Sequence, residues 1–235
     1  MLRTAIWFIY FWVSLLFYIP SYFKAKSIKN SSEQMQYADK KARQWMSSLL
    51  SLAGCKVEII GLEKIPMDTA VLYVGNHQSN FDIPLMLTQL PKSKGFIAKI
   101  ETLKMPFVSD WMKYMRCVFM DRNDIRQQVK GISEGIGYLK EGQSIVLFPE
   151  GTRSESGALG DFKPGGLKLA TKSGVPIVPV TIKGSIDLMR KGSFKIKPSK
   201  VVIIVSDPIE ITDEMNKDTK GLTETIKSII HSNLI

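Results

Sequence analysis

The chain has 235 residues, 44% of them hydrophobic and 23% charged, which is enough to bury the core of one main domain. Lysine and arginine number 32 against 22 aspartates and glutamates, so the formal charge of +10 points to an anionic partner: nucleic acid, an acidic membrane or a phosphorylated substrate. Two cysteines and two histidines, with no Cys-x-x-Cys or His-x-x-x-His spacing, speak against a zinc centre, and no structural metal is expected.

The first element is the uncharged run AIWFIYFWVSLLFYI over residues 5–19, with Arg3 before it and Lys24 and Lys26 after it. Crossing a hydrocarbon core takes about 20 apolar residues, and the dense Trp and Tyr suit headgroup depth. An interfacial helix, a spanning anchor, and a cleaved signal or a helix buried in the protein all stay open at this point, although no small-residue cleavage site follows. The expectation carried forward is a helix embedded in one leaflet, returning through a second helix over residues 31–53 and leaving both termini cytoplasmic. That second helix has apolar Met35, Ala38, Ala42, Trp45, Met46, Leu49 and Leu50 at helical spacing, with Ser31 or Ser32 available as N-cap. The basic link over residues 24–30 suits anionic headgroups. Residues 1–53 are therefore expected as a two-helix membrane-associating motif, and residues 54–235 as the main domain.

Beyond Gly54 strands and helices alternate. Strands are predicted over residues 56–60, 70–74, 95–100, 116–120, 144–148, 176–182 and 201–205, and helices over 83–90, 105–115, 124–140, 167–173 and 220–234. The continuous Val and Ile runs imply an α/β fold with a largely parallel central sheet flanked by helices. Cys55 and Cys117 lie beside apolar runs and are expected as buried reduced thiols. In such a sheet the chemistry gathers where strands end and helices begin.

Two loops fit that place. His77 follows the second strand and Asp82 stands five residues later; the spacing alone suits either a catalytic pair or a polar turn with Asp82 as N-cap. After the strand over 144–148, Pro149-Glu150-Gly151-Thr152-Arg153 offers a glycine, backbone N–H groups, a hydroxyl and a guanidinium, chemistry suited to phosphate. Lys163 and two glycines at a predicted helix start also favour anions. The spacing is not that of a P-loop, and none of the common nucleic-acid recognition motifs is present, so no nucleic-acid partner is expected.

Taken together, NHQSNFD (76–82), VFMDR (118–122), FPEGTRS (148–154) and VPIVPV (175–180) resemble, in order, the four blocks of the 1-acyl-sn-glycerol-3-phosphate acyltransferase family, and IAKIETLKMP (97–106) resembles a further segment. The resemblance implies a glycerolipid acyltransferase-like fold and transfer of an acyl chain from a coenzyme A or acyl-carrier-protein thioester to the sn-2 hydroxyl of lysophosphatidate, giving phosphatidate. It makes His77 the general base and Asp82 its orienting carboxylate. It places Lys99, Arg122, Glu150, Gly151, Thr152 and Arg153 at the substrate, with Arg153 the first phosphate ligand, Lys99 and Arg122 supporting it, and Glu150 ordering the loop. An ion pair of Arg122 with Asp121 or Asp124 is the bland alternative. No cofactor is implied beyond the thioester co-substrate, and neither Ser79 nor Cys117 is implied as a nucleophile. Pro176 and Pro179 are expected to shape a sheet-edge strand near the acyl chain, and His231 to lie on the surface. Ile100 and Pro164 depart from the usual pattern. The implied partners are lysophosphatidate, an acyl thioester and an anionic membrane surface, with acyl carrier protein as a further candidate, at the cytoplasmic face of the cell membrane. Action on another lysophospholipid or on glycerol-3-phosphate is the nearest alternative. A non-catalytic peripheral membrane protein is the alternative of a different class.

Overall fold

The computed structural model describes all 235 residues. Three helices come first: α1 (Leu2–Phe17), α2 (Ile19–Ser27) and α3 (Ser31–Ala53). Pro20 in the first turn of α2 cannot continue α1's hydrogen-bond ladder, and the two axes meet at 45°. No single helix is long and apolar enough to cross a membrane, though the bent pair passes that test by length and composition. The link expected over residues 24–30 is helical as far as Ser27. Helix α3 covers the predicted residues, but its cap is Asn30, whose side chain accepts the Glu33 N–H at 3.0 Å, so Ser31 and Ser32 lie inside the helix. Gly54 ends α3 in the left-handed region at φ 77°.

The domain continues through β1 (Cys55–Ile60), β2 (Leu72–Gly75), α4 (Asp82–Gln89), β3 (Lys94–Lys99), α5 (Val108–Tyr114), β4 (Val118–Met120), α6 (Ile125–Lys140) and β5 (Ser144–Leu147). It closes with α7 (Lys168–Ser173), β6 (Ile177–Lys183), α8 (Ser185–Leu188), β7 (Ser199–Val205), α9 (Asp213–Lys217) and α10 (Thr219–Leu234). Helices α8 and α9 were not anticipated, because four and five residues are too few for a 3.6-residue period to show.

The seven strands form one sheet in the order β1-β7-β6-β2-β5-β3-β4. Strands β2 to β6 run parallel, whereas β1 and β7 pair in parallel with each other and run against the rest, β7 being antiparallel to β6. Alternating side chains fill both faces. Tyr73, Val146, Val178, Val180 and Ile182 meet Trp7, Trp45, Leu49 and Leu85 of α1, α3 and α4 in a cluster of 27 buried residues. Leu72, Val74, Ile145, Leu147 and Ile177 meet Leu139, Leu169, Ile226 and Ile230 of α6, α7 and α10 in a second cluster of 15. Each such side chain contributes about 1.5–3 kcal/mol by leaving water.

The expected edge strand is corrected: β6 lies between β7 and β2, inside the sheet. Pro179 is tolerated there because the paired stretch with β7 begins only at Val180↔Val205; its carbonyl still accepts the Ser206 N–H at 3.0 Å. Topology also singles out one border. The chain leaving β2 crosses over β5 to β3, and the chain leaving β5 crosses over β2 to β6, so the two connections part at the β2/β5 boundary. Such a switch point leaves a crevice at the carboxyl ends of the strands.

Candidate active site

The loops at that crevice are those after β2 and β5. Asn76 anchors the first: its amide Nδ2 donates to the Ile182 carbonyl at 2.9 Å and its Oδ1 accepts the Ile182 N–H at 2.8 Å, tying the turn to the end of β6. The chain then turns so that His77 Nδ1 donates to Asp82 Oδ2 at 2.8 Å. The same oxygen accepts the N–H of Gln78 at 2.6 Å and of Ser79 at 2.8 Å. Asp82 is fully buried as the first residue of α4, where a helix start favours negative charge. Three donors hold the carboxylate in place, and its Oδ1 has no partner. Because Nδ1 carries the proton in this bond, the imidazole lone pair lies at Nε2, an assignment made from the hydrogen-bond network.

Phe148 lies flat against this imidazole, with ring centroids 4.3 Å apart at 14°. It was not singled out in the sequence, where it reads only as the last apolar residue of a strand. The second loop is stitched to the first by Glu150, whose Oε1 accepts the His77 N–H at 2.7 Å and whose Oε2 accepts the Gly160 N–H at 2.9 Å. Both oxygens are thus spent on backbone, and Glu150 links the two loops. Burial raises its pKa, against the opposing pull of those two amides. Two further bonds cross the crevice, from the Ser154 N–H to the His77 carbonyl at 2.8 Å and from Gln78 Nε2 to the Gly157 carbonyl at 3.0 Å.

The cations line up along the same edge. Strands β2, β5, β3 and β4 are consecutive neighbours, so His77, the Glu150–Arg153 turn, Lys99 and Arg122 follow four adjacent strand ends, spread over roughly 14 Å at the usual strand spacing. Lys99 is in register with Met120, two residues before Arg122. None of Lys99, Arg122 and Arg153 forms an ion pair. Asp121 accepts the Asn123 N–H and Asp124 caps α6, so the ion pair considered for Arg122 is not made. Gly151 turns at φ 71°, a conformation that favours glycine, and Thr152 is exposed beside it.

The other candidates sort cleanly. Ser79 is fully buried and its hydroxyl donates to the Met189 carbonyl at 2.8 Å. Cys117 is buried too, and burial pushes its thiol up to about 12. Cys55 is only partly buried, because β1 is an edge strand. His231 is exposed on α10. No three of the His, Cys, Asp and Glu side chains stand close enough to share a metal ion.

Residues 56–183 match the family model described as Acyltransferase. A probable 1-acyl-sn-glycerol-3-phosphate acyltransferase of Mycoplasma pneumoniae is 38% identical over 228 residues, covering 91% of this chain and 85% of that protein. A chloroplastic 1-acyl-sn-glycerol-3-phosphate acyltransferase of Arabidopsis thaliana is 42% identical over 156 residues, 66% of this chain and 44% of that one. Among solved structures, the 1-acyl-sn-glycerophosphate acyltransferase of Thermotoga maritima is similar with a TM-score of 0.79 at 30% identity, over 97% of this chain and 95% of that one.

Proposed function

The chain belongs to the 1-acyl-sn-glycerol-3-phosphate acyltransferase family, and from that premise we propose how its site carries the reaction. The activity is transfer of an acyl chain from a thioester to the sn-2 hydroxyl of 1-acyl-glycerol-3-phosphate, giving phosphatidate. The observation that carries the mechanism is the 2.8 Å bond from His77 Nδ1 to the buried Asp82, which leaves Nε2 as the proton acceptor.

His77 Nε2 takes the hydroxyl proton as the oxygen attacks the thioester carbonyl. Asp82 stabilises the imidazolium while the C–O bond forms. When the tetrahedral intermediate collapses, the C–S bond breaks and the departing thiolate takes the proton back from Nε2. No acyl-enzyme and no metal is used. With 15% of its side chain exposed, His77 is open on one side only, and Phe148 shields the ring. The substrate phosphate is received by Arg122, Arg153 and Lys99, cations left without acidic partners along the same edge.

The acyl chain arrives from a bilayer. Helix α1 buries Trp7 against the core, while Ile9, Trp12, Leu16 and Phe17 are each more than 60% exposed, an apolar face suited to lipid. Residues 1–53 therefore serve as the membrane-associating part and residues 54–235 as the acyltransferase domain, with α1 in one leaflet and the site at the cytoplasmic face. Lys24, Lys26 and Lys29 meet anionic headgroups. The donor is an acyl-CoA or an acyl carrier protein thioester.

The test is thiol release by the purified full chain on vesicles, with lysophosphatidate, other lysophospholipids and glycerol-3-phosphate as acceptors and both thioester types as donors. Turnover highest on lysophosphatidate is expected. No thiol release with any pair would leave a lipid-binding protein without transfer, and preference for another acceptor would replace the substrate.

A further inference from the structure

Gly151 lies beside two cations. A side-chain carbon placed on it would meet Arg122 Nη1 at 3.5 Å and Lys163 Nζ at 3.7 Å. The two nitrogens are therefore no more than about 7 Å apart, a gap that one phosphate edge and two charge-assisted N–H···O bonds of about 2.8 Å span. We propose that Lys163 and Arg122 form a two-cation cradle over Gly151 that binds a phosphate monoester, the headgroup of the acceptor, and so sets the enzyme's preference for phosphorylated acceptors.

Five observations carry this assignment, which rests on the acceptor reading above. Lys163, like Arg122, makes no ion pair. Glu150, the residue before Gly151, has both oxygens bonded to the amides of His77 and Gly160, and Asp161, two residues before Lys163, pairs instead with Lys227 at 2.8 Å. Glu101 influences Arg122 electrostatically but stands outside ion-pair distance. Burial lowers the Arg122 pKa, the mark of a partly desolvated cation that an anion would stabilise. Finally, the chain holds Lys163 in place, since its N–H donates to the Pro149 carbonyl at 3.0 Å, one residue before Glu150.

Position favours the acceptor as the source of the phosphate. The Gly151 turn is joined to the His77 loop through Glu150, and in lysophosphatidate the phosphate and the sn-2 hydroxyl are separated by only a few bonds. A phosphate over Gly151 would therefore place that hydroxyl near the imidazole. Gly151 adopts a φ of 71° that favours glycine, and a side-chain carbon there would stand against both cations.

The experiment compares Lys163→Met and Lys163→Arg with the unaltered full chain on vesicles, after circular dichroism confirms each fold. Initial rates are measured with lysophosphatidate and with monoacylglycerol, using acyl-CoA and then a short acyl thioester without phosphate. Lys163→Met is expected to raise KM for lysophosphatidate roughly tenfold to a hundredfold and to lose far more on it than on monoacylglycerol, with Lys163→Arg recovering part of the loss. Inhibition by glycerol-3-phosphate, a soluble headgroup, should weaken in parallel. Equal losses on both acceptors would make Lys163 structural, and a raised KM for acyl-CoA alone would assign the cradle to the donor; either overturns the proposal. An unaltered enzyme that did not prefer lysophosphatidate to monoacylglycerol would sink the acceptor reading itself.

Discussion

At the scale of single residues, the site turns on hydrogen bonds that have one acceptor for several donors. Asp82 Oδ2 receives three, so His77 is oriented by an oxygen that is itself immobilised by two backbone amides. His77→Ala removes the base while leaving that carboxylate held by Gln78 and Ser79, and kcat is expected to fall about 10² to 10⁴-fold with the fold unchanged. Asp82→Asn can keep an oxygen for the amides but loses the charge that stabilises the imidazolium, so a smaller loss than that of His77→Ala is expected. Steady-state kinetics with circular dichroism check both, and near-normal kcat in His77→Ala would remove the base assignment. Glu150 supplies one oxygen to each loop, and Glu150→Gln turns one of them into an N–H donor facing another donor. An unsatisfied backbone N–H costs about 1–3 kcal/mol. The expected result is a loss of kcat/KM of about tenfold or more at little change in Tm, since the variant also relieves a buried charge. An unaltered kcat/KM would show that the two loops hold their geometry without this bridge.

At the scale of elements, α1 has two faces with opposite partners. The inner one carries Trp7, whose indole N–H donates to the Leu49 carbonyl at 2.9 Å and whose ring lies 5.5 Å from Phe81, the residue before Asp82. Deleting the helix would uncover this core, so the outer face is the cleaner target. Replacing Ile9, Trp12 and Leu16 together by lysine puts three charges where lipid contact is proposed and leaves Trp7 seated. Vesicle flotation and turnover of long-chain lysophosphatidate in bilayers should drop at least tenfold, because the substituted helix loses both apolar burial and interfacial anchoring. Turnover of a short-chain, water-soluble acceptor should stay within about twofold. Equal losses on both acceptors would show that α1 acts through the fold and not through the membrane. The one-leaflet placement has its own check: a cysteine introduced at position 2, in a chain without its native cysteines, is expected to be labelled only from the cytoplasmic side of the membrane.

At the scale of the whole molecule, the two cysteines report on global opening. Burial pushes the Cys117 thiol up to about 12 and the Cys55 thiol up to about 11, so at pH 8 both stay protonated. Iodoacetamide at that pH is expected to modify neither in the folded chain within minutes and both in denaturant, as read by mass spectrometry. Rapid modification of Cys117 without denaturant would mean that the β3–β4 end of the sheet opens on its own, since Cys117 lies between α5 and β4.

Local signals in the chain were sufficient for most elements and for the pair at the centre of the site. The apolar runs of β2 and β5 and the long period of α3 and α6 are properties of neighbouring residues, and His77 and Asp82 are five residues apart, so their bond closes within one turn. Chain-local reading failed where competition or distance decides. Asn30 took the cap from two adjacent serines, four- and five-residue helices left no period, and β6 was placed at an edge because its prolines lack N–H donors. The tertiary structure alone decided which strand ends are neighbours. That order set Phe148 against His77, spent both oxygens of Glu150 on two loops, and brought Arg122 and Lys163 together beside Gly151. The physical reason is that spacing along a chain determines which residues reach the end of a strand, whereas pairing across the sheet, settled by the burial of both its faces, determines what they meet there.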